Sequence, residues 1–147
     1  MKAPQSTVIS MRLPETSGKR LRRMANRHGW TPSDASARLV EEGLRRAEFA
    51  FIDFRDSTMG RQAYIQGSSL AIWEIILLCR GYKNKLESVA KHLHWPLAKV
   101  QAAFNYAEAF PGEIDEALAE NEAAGFATIK RMLPQSVEFV AGKPARR

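Results

Sequence analysis

From Thr7 to Leu13 the chain alternates between two faces. Ile9, Met11 and Leu13 fall on one, and Val8, Ser10 and Arg12 on the other. This two-residue period predicts a short strand. Pro14 ends it, because proline cannot continue a ladder and sits well at a helix start. A basic helix is then expected to about His28, with Leu21, Met24 and Ala25 as its apolar stripe and Gly29 as a left-handed cap. Thr31-Pro32-Ser33-Asp34 supplies a hydroxyl cap, a proline at the first helical position and an acid in the first turn. Trp30 precedes that cap, where an apolar residue can staple against the first turn. The second helix is expected to run to about Phe49 and to bury Ala35, Leu39, Val40 and Leu44. A lone strand has two open edges, and two short helices cannot cover it. The pattern therefore predicts a homodimer, with two strands paired antiparallel about a two-fold axis and four helices closing around them.

Beyond residue 50 the pattern changes. Residues 51–60 read as a connector, tethered by Phe51, Ile52 and Phe54 and wetted by Asp53, Arg55 and Asp56. Residues 61–121 read as a small helical domain. Ala63 to Ser69 is a short extended piece and turn, and Ser69 or Ser68 caps an almost wholly apolar central helix from Leu70 to Arg80. Gly81 stops it, and Asn84 caps a helix from Lys85 to Leu93. After Trp95, a helix from Pro96 or Leu97 carries Val100, Ala103, Phe104 and Ala107 on one face. Pro111-Gly112 breaks the chain before an acidic helix from Glu113 to Asn121. Two such sharp connections between helices are the pattern of a helix-turn-helix unit. Residues 122–147 show no periodic element longer than two turns, apart from a short helix over Ala127 to Leu133 that Pro134 ends.

Charge sharpens this picture. The chain of 147 residues carries 22 Lys and Arg against 16 Asp and Glu, a net +6, and a balance of that sign favours polyanionic partners. Residues 1–50 hold ten basic and five acidic side chains, whereas Glu113 to Glu122 holds five carboxylates and no Lys or Arg. The basic character lies in the first hundred residues. The longest apolar run, Leu70 to Cys79, is too short for the roughly twenty residues of a membrane span. No apolar stretch follows Lys2, and Cys79 is the single cysteine. A protein of the cytoplasm is expected, with no secretory signal, membrane partner or internal disulfide.

Strand, basic helix, Gly29-Trp30-Thr31-Pro32-Ser33 and second helix together resemble a ribbon-helix-helix repressor domain over residues 1–50. The resemblance implies that the paired strands enter the major groove of operator DNA, which admits a two-stranded ribbon. Val8, Ser10 and Arg12 would then face base edges, with Arg12 the strongest reader because guanidinium can donate two bonds to guanine. The amino end of the second helix would hold a phosphate through free amides and the hydroxyls of Thr31 and Ser33. Lys19 and Arg23 of the first helix would add salt-dependent attraction. Val8 departs from the polar reader more usual in this family; it either meets a thymine methyl or reads weakly.

Gly60, Ile65, Gly67, the long apolar helix, Gly81 and Tyr106-Ala107 resemble a second family. It is a small domain found in VapB-like antitoxins, which typically accompany PIN-like ribonuclease toxins. Ser68-Ser69-Leu70 departs from the Thr-Arg-Ile usual there. Lys83, Lys85, Lys91 and Lys99 either contact DNA or keep this domain soluble. In residues 122–147 the anchors Phe126, Ile129, Met132, Leu133 and Phe139 accompany Arg131, Arg146 and Arg147. Such a segment either folds on a partner protein or docks on its own second domain. The resemblance implies the former, with a cation placed among the metal-holding carboxylates of the toxin.

No nucleophile elbow, phosphate-cradling glycine loop or cysteine pair is present. His92 and His94 are two apart and point to different helical faces, so a zinc site is not expected. No enzyme activity, metal or cofactor is predicted. The expected fold is mainly α, a ribbon-helix-helix dimerisation and DNA-binding domain followed by a small three-to-four-helix, helix-turn-helix-like domain. The expected function is that of an antitoxin, a homodimer or higher assembly that binds its own operator and neutralises a toxin. A stand-alone repressor is the alternative, and a DNA-coating architectural protein is a third.

Overall fold

The computed structural model describes residues 5–132. The chain is mainly helical, with α1 at Glu15–His28, α2 at Pro32–Glu48, β1 at Ile52–Ser57, β2 at Gly60–Ile65, α3 at Ile72–Gly81, α4 at Leu86–Leu93, α5 at Leu97–Ala109 and α6 at Pro111–Met132. It divides into two compact units, the first ending at Arg45 and the second beginning at Arg46.

In the first unit the two helices begin and end where local chemistry requires. Gly29 closes α1 at φ 69°, and the Trp30 N–H donates to the Ala25 carbonyl at 2.9 Å. The Thr31 hydroxyl accepts the Asp34 N–H at 3.1 Å and so caps α2. Trp30 stacks on His28, with ring centroids 4.2 Å apart, and the Arg38 guanidinium lies 4.6 Å above its ring. This stack holds the α1–α2 turn. Of the apolar residues described in this unit, only Ala25 and Ala35 are buried. Leu39 is half-buried, while Val40 and Leu44, expected inside, are exposed. The strand expected over Thr7 to Leu13 is not formed in the single chain: residues 5–14 precede α1 without regular secondary structure and with no ladder partner.

Residues 51–60 are not a connector: β1 and β2 form an antiparallel hairpin in which Ile52 faces Ile65 and Phe54 faces Ala63. All four are buried, and the intervening residues are less so, as a half-buried strand requires. Apolar alternation in Ile52-Asp53-Phe54 finds its mate beyond the tight turn at Thr58-Met59, where Gly60 takes φ 98°. On the outer face Asp53 meets Arg46 at 3.1 Å and Arg55 at 3.3 Å, and Arg55 donates to the Ser68 carbonyl at 2.7 Å.

Two helix starts also move. The Ile65 N–H donates to the Leu70 carbonyl, and Ala71 bridges to Tyr64, so residues 70 and 71 belong to the sheet edge and α3 begins at Ile72. Neither serine caps it; the Glu74 carboxylate accepts the Ala71 N–H at 2.8 Å instead. Asn84 adopts φ 59° and donates to the Cys79 carbonyl, closing α3 rather than opening α4.

The hairpin packs with α3, α4, α5 and the first turns of α6 around Ile65, Ile72, Ile75, Val89, Val100 and Tyr106, all without exposure. Tyr106 is the hub. Phe49, Phe54 and Phe110 surround its ring at centroid distances of 5.5, 6.4 and 4.8 Å, and its hydroxyl donates to the Glu113 carboxylate at 2.7 Å. The expected end at Asn121 is overturned, since α6 continues to Met132. Alanines at 117, 119, 123, 124 and 127 favour a helix, and the first strong breaker is Pro134.

Two outcomes follow from the second unit. Tyr106→Ala should destabilise it by roughly 3–5 kcal/mol, whereas Tyr106→Phe should cost only about 1 kcal/mol, because Glu113 is exposed and water can replace the lost donor. Urea unfolding of both variants measures the difference. Partial burial pushes the Asp53 carboxyl up, but the Phe54 N–H, the Arg55 guanidinium and the Arg46 charge outweigh it and hold it below the usual carboxylate range. A depressed folded value means stability present above the unfolded carboxylate range and lost as pH falls through it. Asp53→Asn should therefore lower the unfolding midpoint at pH 7, by under about 1 kcal/mol at this half-exposed site. The gap to the native chain should close as pH drops below about 4.

Candidate nucleic-acid interface

The alternation of residues 7–13 has a physical counterpart. Thr7, Ile9 and Met11 line one shallow groove with Ser33, Ser36, Ala37, Val40 and Glu41 of α2. The odd-numbered side chains thus lie along α2, while Val8, the even neighbour of Ile9, is 92% exposed. Coverage is thin even on the odd side: Ile9 is 77% exposed, and Met11 and Leu13 about half. Ser10 and Arg12 are exposed with Val8. The three expected base readers therefore lie on solvated backbone outside any strand or helix.

The basic helix behaves as its spacing requires. Arg20, Arg22, Arg23 and Arg27 are exposed, opposite the half-buried Leu21 and Met24 and the buried Ala25. Lys19 is also exposed but pairs with Glu15 at 2.8 Å, one turn before it. At the start of α2 both Thr31 and Ser33 are exposed. Thr31 is engaged as the cap, which removes the Asp34 N–H from the amides open to a phosphate, and the Asp34 carboxylate stands in the same turn. Ser33 and the backbone around it remain for that role.

Of the expected partner-binding residues, Phe126, Ile129, Arg131 and Met132 fall in the backbone of α6. Leu133, Phe139, Arg146 and Arg147 lie outside the described residues. The carboxylates between Glu113 and Glu122 separate. Glu113 holds Tyr106, Asp115 meets Arg80 at 3.4 Å, and Glu116 and Glu120 line a groove with Met59, Arg61 and Trp73. Among the described residues no cluster of His, Cys, Asp and Glu could hold a metal ion, and no helix is long and apolar enough to cross a membrane. Cys79 is buried, and burial pushes its thiol up, away from nucleophilic use.

Attention to the apolar face of α5 passes over its opposite side. There Gln101 and Asn105, four residues apart, are exposed and joined, the Gln101 Nε2 donating to the Asn105 Oδ1 at 2.9 Å. The signal was their spacing alone.

Thr31→Ala should lower unfolding stability by about 1 kcal/mol through loss of the α2 cap, and Thr31→Asp should restore it, both read from urea unfolding. No protein-family model, curated protein or solved structure matches the chain.

Proposed function

We propose that this chain is the antitoxin of a toxin–antitoxin pair. Its first fifty residues form a ribbon-helix-helix dimer on operator DNA, and its C-terminal region covers a protein toxin of the PIN-like ribonuclease kind. One observation carries the DNA-binding half. The first unit buries only Ala25 and Ala35 among its described apolar residues, while Ile9, Met11, Leu13, Val40 and Leu44 stay open beside an unpaired, alternating segment. A unit this small is not stable with so little buried. A second copy supplies what is missing: its strand satisfies the ladder edges, and its helices cover the apolar stripe. Val8, Ser10 and Arg12 then stand together on the outer face of the ribbon, with the arginines of α1 beside them in sequence.

The toxin-binding half rests on the resemblance of residues 61–121 and on the apolar and basic composition of residues 122–147. The positions that carry that resemblance are ones the second unit uses. Gly60 and Gly67 take positive φ, and Ile65 and Tyr106 are fully buried. This supports a likeness of fold, and the toxin follows from the usual company of that domain.

Three measurements test the reading. Sedimentation at micromolar concentration should give a dimer; a strict monomer overturns the ribbon. Arg12→Ala should cost roughly 1–3 kcal/mol on the selected operator and relax specificity at one position. Loss by the same factor on all sequences would instead indicate a DNA-coating protein. The neighbouring open reading frame, expressed alone, should arrest growth, and the full chain should restore it. A chain ending at Met132, which keeps α6 whole, should fail to do so. A harmless neighbour would leave a stand-alone repressor.

A further inference from the structure

We infer that the α4–α5 pair is a second duplex-DNA contact, with the exposed stripe of α5 lying in the major groove. The two helices pack together and are joined by only three residues, His94 to Pro96. His94 at φ 55° makes the sharp turn, and the Trp95 N–H donates to the Ala90 carbonyl at 2.9 Å. A short helix, a three-residue turn and a longer helix are the arrangement that presents a second helix to the major groove.

The chemistry of the presented stripe fits that groove. Leu97, Ala98, Gln101, Asn105 and Glu108 lie on one exposed side of α5, and the glutamate can accept from the N4 amino group of a cytosine. The hydrogen bond between the two amides leaves the Gln101 carbonyl oxygen as acceptor and the Asn105 amino group as donor. Adenine offers the complementary pair, N6–H and N7, on its major-groove edge. Lysines surround the stripe in sequence. Lys83 and Lys85 lead into α4, Lys91 lies in its last turn, and Lys99 sits in the first turn of α5 over the Trp95 ring at 5.6 Å. From residue 83 to residue 99 the one carboxylate is Glu87. Glu48 stands across the groove that Gln101 and Asn105 line with Phe49 and Phe51, so phosphate contacts fall on the lysine side.

Duplex DNA is favoured over two other partners. The major groove of an RNA duplex is too narrow to admit a helix. The core of a protein interface is depleted in lysine, whereas residues 83–99 hold four. The ribbon is not needed for the argument, because these residues belong to the second unit.

The test uses the full chain and a pool of duplexes of about 40 base pairs with a randomised centre, long enough for two major-groove contacts one helical turn apart. Binding is followed by fluorescence anisotropy across a salt series. Lys83→Asn, Lys85→Ala and Lys91→Ala, combined, should make the slope of log affinity against log salt shallower by about 2–3, at roughly 0.9 per phosphate contact. Gln101→Ala with Asn105→Ala should weaken binding to the selected sequence about tenfold or more and leave the unselected pool unchanged. Circular dichroism melts matching the native chain establish that both variants fold. An unchanged slope overturns the inference, as does tighter binding to a hairpin RNA of equal length. A change of sedimenting mass with an unchanged slope overturns it too, in favour of contact between copies. Arg12→Ala on the same duplexes reports on the ribbon separately: loss with Arg12 alone leaves that reading standing and removes this one, and loss with the amide pair alone does the reverse.

Discussion

The second unit depends on one buried ring. Tyr106 is removed from water on every side, yet its hydroxyl is satisfied by a carboxylate at the edge of the core. Burial of a polar atom in an apolar cluster is tolerated only with such a partner. The pair therefore does two jobs. It lets the aromatic cluster of Phe49, Phe54 and Phe110 close around α5, and it sets the start of α6, because Glu113 lies in the first turn of that helix. Hairpin, α5 and α6 are thus referred to one side chain.

The first unit has no equivalent. Its helices are defined locally, by a left-handed glycine, a threonine cap and the contacts of the Trp30 ring with His28 and Arg38. Local definition of helices is not tertiary stability, which comes chiefly from a buried apolar face. The same residues that leave it incomplete make it suited to association: side chains of alternating character on unpaired backbone, next to a helix rich in arginine. What stabilises this unit and what lets it meet DNA are one arrangement in the proposed reading.

How much could be read in advance followed the range of the interactions. Elements set by near neighbours were legible, including Gly29, the Thr31-Pro32 start, the stop at Gly81 and the breaks at Pro96 and Pro111. Elements set by distant partners were not. The residues Ile52 and Phe54 alternate too briefly to announce a strand, and only the return of Ala63 and Ile65 makes them a hairpin. The start of α3 slipped by two residues because the sheet edge holds Leu70 and Ala71 in extended form. The long α6 was missed because the stretch from Glu122 to Gly125 interrupts the apolar pattern, and the propensity of its alanines carries the helix across. At the candidate interface the alternation of Val8 to Leu13 was plain, and the arginines of α1 fall on the exposed side as their spacing requires. Joining Gln101 to Asn105 needed coordinates, since many polar pairs four apart on helices never touch.

That only two apolar residues of the first unit are buried, both alanines, would have a consequence for the amount of protein a cell holds. In the proposed dimer, where a second copy is the cover, the folded form of that unit would be the product of an encounter, and its stability could not be separated from protomer concentration. At low levels the folded dimer rises with the square of the chain concentration, so halving the supply lowers it about fourfold. Free chains would be left with their apolar stripe open to proteolysis, which would lower the supply further. A promoter controlled by such a dimer would respond to dilution or degradation as a threshold rather than in proportion, and the origin of that steepness would be the small side chains at positions 25 and 35.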